Sequence, residues 1–132
     1  MRVMFDTNVL ISHLAFGSET IGKVVEDVAL NHELLLSTFV IDEFREVVAR
    51  KWPNRTEAAE RFLQRASFET VITPLVMEEG LFEIRDECDY PVLYSAVLGF
   101  ADVLVTGDKD FADVDIETPD IVTPAGYVER YL

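Results

Sequence analysis

Arg2-Val3-Met4-Phe5-Asp6-Thr7-Asn8-Val9-Leu10 passes from an apolar run to a carboxylate and then to residues suited to begin a helix. Val3 to Phe5 reads as a buried strand with Asp6 at its C-terminal end. Thr7 and Asn8 can cap the segment that follows, in which Val9, Leu10, Leu14 and Ile11 form an apolar helical face that Gly17 ends. A strand delivered straight into a helix opens a βα unit, and the same pattern recurs along the chain.

Working outward, Ile21, Val24, Val25, Val28 and Ala29 fall at helical spacing between Ser18, a natural N-cap, and Leu30. Leu34-Leu35-Leu36 inside Glu33 to Ser37 predicts a second parallel strand, and Phe39, Val40, Phe44, Val47 and Val48 predict the helix after it, closed by Trp52-Pro53. Thr56 to Ala66 predicts a further helix and Phe68 to Thr73 a strand punctuated by Pro74. Val76 to Ile84 is ambiguous, with Leu81, Phe82 and Ile84 suggesting a helical turn. A helix from Asp89 or Pro91 to Gly99, a strand at Val103 to Thr106, a last strand at Ile121 to Thr123 and a closing helix from Pro124 to Tyr131 complete the reading. Strands alternating with helices predict a three-layer α/β/α sandwich with a parallel central sheet, spanning residues 1–132 as one domain.

At 132 residues and 49% hydrophobic, the chain can bury a core without staples. Cys88 is the lone cysteine and cannot form an internal disulfide, and no apolar stretch approaches the roughly 18 residues of a membrane span. A reducing, cytoplasmic setting with no membrane contact is the expectation. The net charge of −14 opposes polyanion binding, which draws on Lys and Arg. Six of the eleven basic residues nevertheless lie between positions 45 and 65, Arg45, Arg50, Lys51, Arg55, Arg61 and Arg65, against only Glu46, Glu57 and Glu60. That island is either a solvated helix face or a surface that tracks a phosphate backbone.

The carboxylates carry the chemistry. Asp6 and Asp108 end two apolar strands, Glu43 sits in the first turns of the helix after a third, and Asp89 lies near the start of the helix leading into the Val103 strand. In open parallel sheets, sites form outside the C-terminal strand ends, so these acids can converge there. Two ionised carboxylates about 4 Å apart repel by roughly 4 kcal/mol at an effective dielectric near 20, so a pocket of them either takes up protons or holds a cation. An oxygen-only donor set suits Mg²⁺ or Mn²⁺, and phosphodiester hydrolysis is the natural chemistry. Taken singly, each acid is ordinary: Asp6 a helix cap, Glu43 solvent-facing, Asp86, Glu87 and Asp89 a solvated loop, Asp108 part of a turn. His13 and His32 lie outside the acidic stretches. A receiver-type phospho-acceptor module needs paired acids before its first helix, and a haloacid-dehalogenase-type phosphatase needs a second Asp where Asn8 stands, so both match poorly.

Val3-Met4-Phe5-Asp6-Thr7-Asn8-Val9-Leu10-Ile11-Ser12, Ser37-Thr38-Phe39-Val40-Ile41-Asp42-Glu43-Phe44, Asp89-Tyr90-Pro91-Val92-Leu93 and Leu104-Val105-Thr106-Gly107-Asp108-Lys109-Asp110-Phe111 together resemble the PIN-domain family. Within it, the chain is similar to the stand-alone VapC-type ribonucleases, the toxins of prokaryotic toxin–antitoxin pairs. The first and last segments are specific in combination, and the middle two gain meaning from their order and spacing. The resemblance implies a Mg²⁺- or Mn²⁺-dependent hydrolase acting on single-stranded RNA, with Asp6, Glu43, Asp89 and Asp108 as the catalytic and metal-holding quartet. Asp110 matches an accessory metal-side acid, and Asn8, Ser12 and Thr106 match polar positions lining the pocket. It further implies a homodimer neutralised by a cognate antitoxin protein. Asp86, three residues before Asp89, is the rival for the third acid; Asp89 is preferred for its place at the helix start and its distance from Gly107-Asp108. Arg45, Arg50, Lys51 and Arg55 are the candidate RNA-backbone contacts. A catalytically inactive PIN protein serving as a binding or regulatory partner is the alternative.

Overall fold

The computed structural model describes residues 1–132. Five strands, β1 (Arg2–Phe5), β2 (Glu33–Ser37), β3 (Glu69–Val71), β4 (Val103–Val105) and β5 (Asp120–Val122), form one sheet in the order β3-β2-β1-β4-β5. Every neighbouring pair is parallel. The connecting helices are α1 (Thr7–Ile11), α2 (Glu19–Asn31), α3 (Thr38–Lys51), α4 (Thr56–Arg65), α5 (Tyr90–Leu98) and α6 (Pro124–Tyr131). Val3, Met4, Phe5, Leu35, Leu36, Leu104 and Val105 are all fully buried, so successive side chains on both sides of the sheet are covered. That double coverage is why β1, β2 and β4 read as continuous apolar runs rather than alternating ones, and it is the three-layer α/β/α sandwich.

Local chemistry sets the element ends. Ser18 accepts a hydrogen bond from the Ile21 N–H, Ser37 from the Val40 N–H and Thr123 from the Gly126 N–H, each capping its helix. Helix α1 continues into a π-helical turn over Ser12–Phe16, and Gly17 at φ 56 ends it, its N–H donating to the Ser12 carbonyl. The helical turn suggested over Val76 to Ile84 does not form. Bounded by Pro74 and by Gly80 at φ 79, residues 72–86 run without helix or strand, and Phe82 is buried against Tyr90 instead of lying on a helical face.

Two cross-links fix the sheet's surroundings. Arg2 bridges Glu33 and Glu69 and donates to the Gly99 carbonyl, tying together the starting ends of β1, β2 and β3. Tyr127, fully buried on α6, donates to Asp27 Oδ2 at 2.7 Å and joins α6 to α2. The sheet runs β1 to β2 to β3 in one direction and β4 to β5 in the other, so the chain reverses its sense of progression between β1 and β4. A crevice opens at such a switch point, at the carboxyl ends of the strands.

Candidate active site

Pairing of Phe5 with Val105 sets Asp6 and Thr106 side by side as the strands end. The Asp6 N–H donates to the Val105 carbonyl at 3.0 Å, so the ladder itself holds the residue. The Asp6 carboxylate is 4% exposed. Its Oδ1 accepts from the Thr7 N–H at 2.7 Å as the cap of α1, and its Oδ2 accepts from Thr106 Oγ1 at 2.7 Å and from Asn8 Nδ2 at 3.2 Å.

Thr106 is the junction of the site. Its hydroxyl donates to Asp6 and accepts from the Asp108 N–H at 3.1 Å, which places the second acid relative to the first. Asn8 closes the frame from the other side, its Oδ1 accepting from the Gly107 N–H at 3.0 Å. Asp108 in turn accepts from the Asp110 N–H at 2.9 Å, capping a short 3₁₀ turn, and so directs Asp110.

From the far side, Asp86 caps a 3₁₀ turn over Glu87–Asp89 that ends where α5 begins. One carboxylate oxygen each from Asp86, Asp89 and Asp110 lies within 4.8 Å of the other two. Asp89 is pushed up to about 7, first by burial, then by the charges of Asp108, Asp6 and Asp86. Asp6 is also raised: burial is the largest cause, the Thr106 and Thr7 hydrogen bonds oppose it, and the charges of Glu43 and Asp108 add to it. Asp89 Oδ2 and Thr7 Oγ1 are buried without a hydrogen-bond partner. Crowded carboxylates, one of them holding a proton near neutrality and presenting an orphaned oxygen, fit a hard divalent cation. Asp86, Asp89 and Asp110 would each offer one oxygen to such an ion, and the charges of Asp6 and Asp108 add to the same pocket.

The expected positions are therefore not all equivalent. Asp6, Asp108, Asp89 and Asp110 gather at the ends of β1 and β4. Glu43 is exposed on α3, near enough for its charge to act on Asp6 but outside the tight three-acid group. Ser12 takes no part in the hydrogen bonds that build the pocket; its N–H closes α1. Asp86 and Asp89, set against each other as rivals by sequence, stand together, the 3₁₀ turn bringing positions i and i+3 to one side. That spacing was the available signal for pairing them. In the basic island, Arg45 pairs with Glu60 at 2.7 Å, Arg50 with Glu46 at 2.8 Å, and Arg55 donates to the Leu14 carbonyl.

A sequence model of the PIN domain matches residues 2–110, which contain all of these acids. The chain belongs to the PIN-domain family. Among solved structures this PIN domain is similar to VapBC2 from Rickettsia felis bound to a DNA fragment from their promoter, with a TM-score of 0.68 and 15% identity over 92% of this chain and 97% of that one. At that identity the likeness concerns the fold. No curated protein matches the chain. The PIN domain's sheet order puts its N-terminal strand at the centre, and that is what allows an acid at residue 6 to share a pocket with acids near residue 108.

Proposed function

We propose that this PIN domain is a divalent-metal-dependent endoribonuclease, acting as the toxin of a toxin–antitoxin pair. The observation that carries the reading is the convergence of Asp6, Asp108 and Asp89 at the β1/β4 switch point, with Asp86 and Asp110 offering oxygens to the same side. Asp86, Asp89 and Asp110, with Asp6 and Asp108 adjacent, would hold Mg²⁺ or Mn²⁺, which would supply the Lewis acidity to activate water and offset charge on a phosphodiester. The chain's own residues set the conditions for that chemistry. Thr106 and Asn8 keep Asp6 oriented, burial together with the neighbouring charge of Asp108 favours the proton on Asp89, and Glu43 stands at the rim on α3 as the fourth member of the quartet.

RNA as substrate, a cognate antitoxin as partner, a homodimer and a cytoplasmic setting follow from the resemblance to VapC-type ribonucleases, and the name of the structural neighbour, VapBC2, agrees with it. No helix is long and apolar enough to cross a membrane, which is compatible with that setting. A second reading, a PIN protein that binds without cleaving, draws support from the −14 charge and from the engagement of Arg45 and Arg50 by glutamates.

Cleavage of a single-stranded RNA pool with Mg²⁺ or Mn²⁺ separates the two. Wild type is expected to cut, and Asp6→Asn and Asp108→Asn to lose at least about 100-fold in rate, the loss typical of removing a key electrostatic group. Equal cleavage by all three points to a contaminant and overturns the nuclease reading. Metal-independent RNA binding without cleavage by wild type establishes the second reading.

A further inference from the structure

Between β3 and α5 the chain has neither helix nor strand from Ile72 to Asp86, yet it is held at several points. Tyr90 Oη donates to the Glu78 carbonyl at 2.5 Å and accepts from the Leu81 N–H at 3.4 Å, and Tyr94 Oη accepts from the Glu78 N–H at 3.1 Å. Phe82 stacks on Tyr90 with ring centroids 4.4 Å apart, and Tyr90 stacks on Tyr94 at 5.8 Å. The loop is thus fastened to α5 by an aromatic ladder. A groove of about 840 Å³ lies along it, lined by Phe82, Tyr90 and Pro91 among others.

Phe82 takes the buried place, Met77 and Ile84 pack partly against the core, and Ile72, Leu75, Val76 and Leu81 are left outside. Leu75, fully exposed, and Val76, 88% exposed, line the same groove, and Ile72 just before them is 76% exposed. An apolar patch held out by an anchored loop marks an interaction surface. Its electrostatics narrow the occupant. Residues 74–90 carry six acids, Glu78, Glu79, Glu83, Asp86, Glu87 and Asp89, and one base, Arg85, which is ion-paired with Asp113. Glu79, Glu83 and Glu87 line the groove itself. An apolar trough with an acidic rim is complementary to a segment whose apolar stripe is flanked by Lys or Arg. A nucleic-acid strand meets like charge there, and so does a second copy of a chain carrying −14.

We propose that this groove docks a cationic amphipathic helix of a protein partner, its apolar stripe over Leu75, Val76 and Tyr90 and its basic residues against Glu79, Glu83 and Glu87. The loop is already ordered, so docking incurs little ordering entropy on this side. The groove adjoins the first turn of α5 but uses side chains other than the acid pocket's, so docking is expected whether or not the pocket cleaves RNA.

The probe is a synthetic Leu/Lys helix of about 18 residues, five turns long. It is titrated into the isotope-labelled full chain at physiological ionic strength, with a Leu/Glu helix of the same apolar stripe as control. Saturable amide shifts concentrated on residues 75–91 are expected with the first and not the second. Affinity is expected to fall about tenfold in L75D/V76D and in E79K/E83K. Both pairs alter exposed side chains, and an unchanged amide dispersion shows that each variant folds. Shifts centred on Asp6 and Asp108, equal affinity in both variants, equal binding of the Leu/Glu helix, competition by single-stranded RNA for residues 75–91, or self-association lost in L75D/V76D would each overturn the proposal.

Discussion

Thr106 shows how much a single hydroxyl organises in this pocket. It donates to Asp6 and receives the Asp108 N–H, so Thr106→Val, close in volume, strips one buried carboxylate oxygen of its strongest donor and leaves one amide unpaired. The expected cost is about 1–3 kcal/mol of stability, read from urea unfolding. A variant as stable as wild type would show the hydroxyl to be dispensable. Asp89 gives a prediction of opposite character. Its folded pKa of about 7 lies above the ordinary aspartate value of 3.8, so the folded state holds the proton more tightly than the unfolded one. The associated stability is complete below the unfolded value and is lost as pH rises through the folded one. Without divalent cation, Tm is expected to fall from about pH 5 to pH 8, and saturating Mg²⁺ is expected to flatten that fall by favouring the ionised form. A Tm that climbs over this window contradicts the crowded-carboxylate account. At this scale, Asp6 and Asp108 were legible in the sequence because each ends an apolar run. The partnership of Asp86 with Asp89 left only their three-residue spacing as a trace, since it depends on a 3₁₀ turn that no apolar periodicity announces.

The helices and strands were legible where burial imposes a period. Leu34 to Leu36 and Val103 to Val105 are covered on both faces and read as uninterrupted apolar runs, and α6 begins and ends where Pro124 and Tyr131 predict. The stretch from Val76 to Ile84 defeated the same reasoning, because its apolar residues serve an aromatic stack and a solvent-facing lip rather than one helical face. The link from α5 to β4 carries a strain that also escapes periodicity. Phe100 sits at φ 54 with its side chain 81% exposed, next to Gly99, where a Cβ would lie 2.8 Å from Val71 Cγ2. Phe100→Gly is expected to stabilise by roughly 0.5–1 kcal/mol, the left-handed strain relieved less the entropy glycine adds to the unfolded chain. Gly99→Ala is expected to destabilise by about 1–3 kcal/mol through overpacking. Thermal unfolding of the two variants tests both signs, and a stabilising Gly99→Ala would mean that Val71 yields freely.

On the scale of the molecule, the charge of −14 and the fold pull against each other. The sheet concentrates carboxylates at one end, while the basic residues on α3 and α4 are partly engaged by Glu46 and Glu60. If the nuclease reading holds, RNA capture relies on what remains of that island. The triple variant Arg50→Glu, Lys51→Glu, Arg55→Glu is then expected to weaken RNA binding by at least about tenfold and to flatten its salt dependence. Binding that is unchanged at low salt would place the RNA elsewhere. The sheet order has one more consequence, in time rather than in space. Asp6 is made well before the hydroxyl that orients it, which lies 100 residues further along and is brought beside it by β4, the neighbouring strand that ends at Val105. A nascent chain that has produced β1, β2 and β3 holds half a pocket and no means of aligning it. The cell making this protein therefore meets the assembled acid site only after β4 and Thr106 have been made.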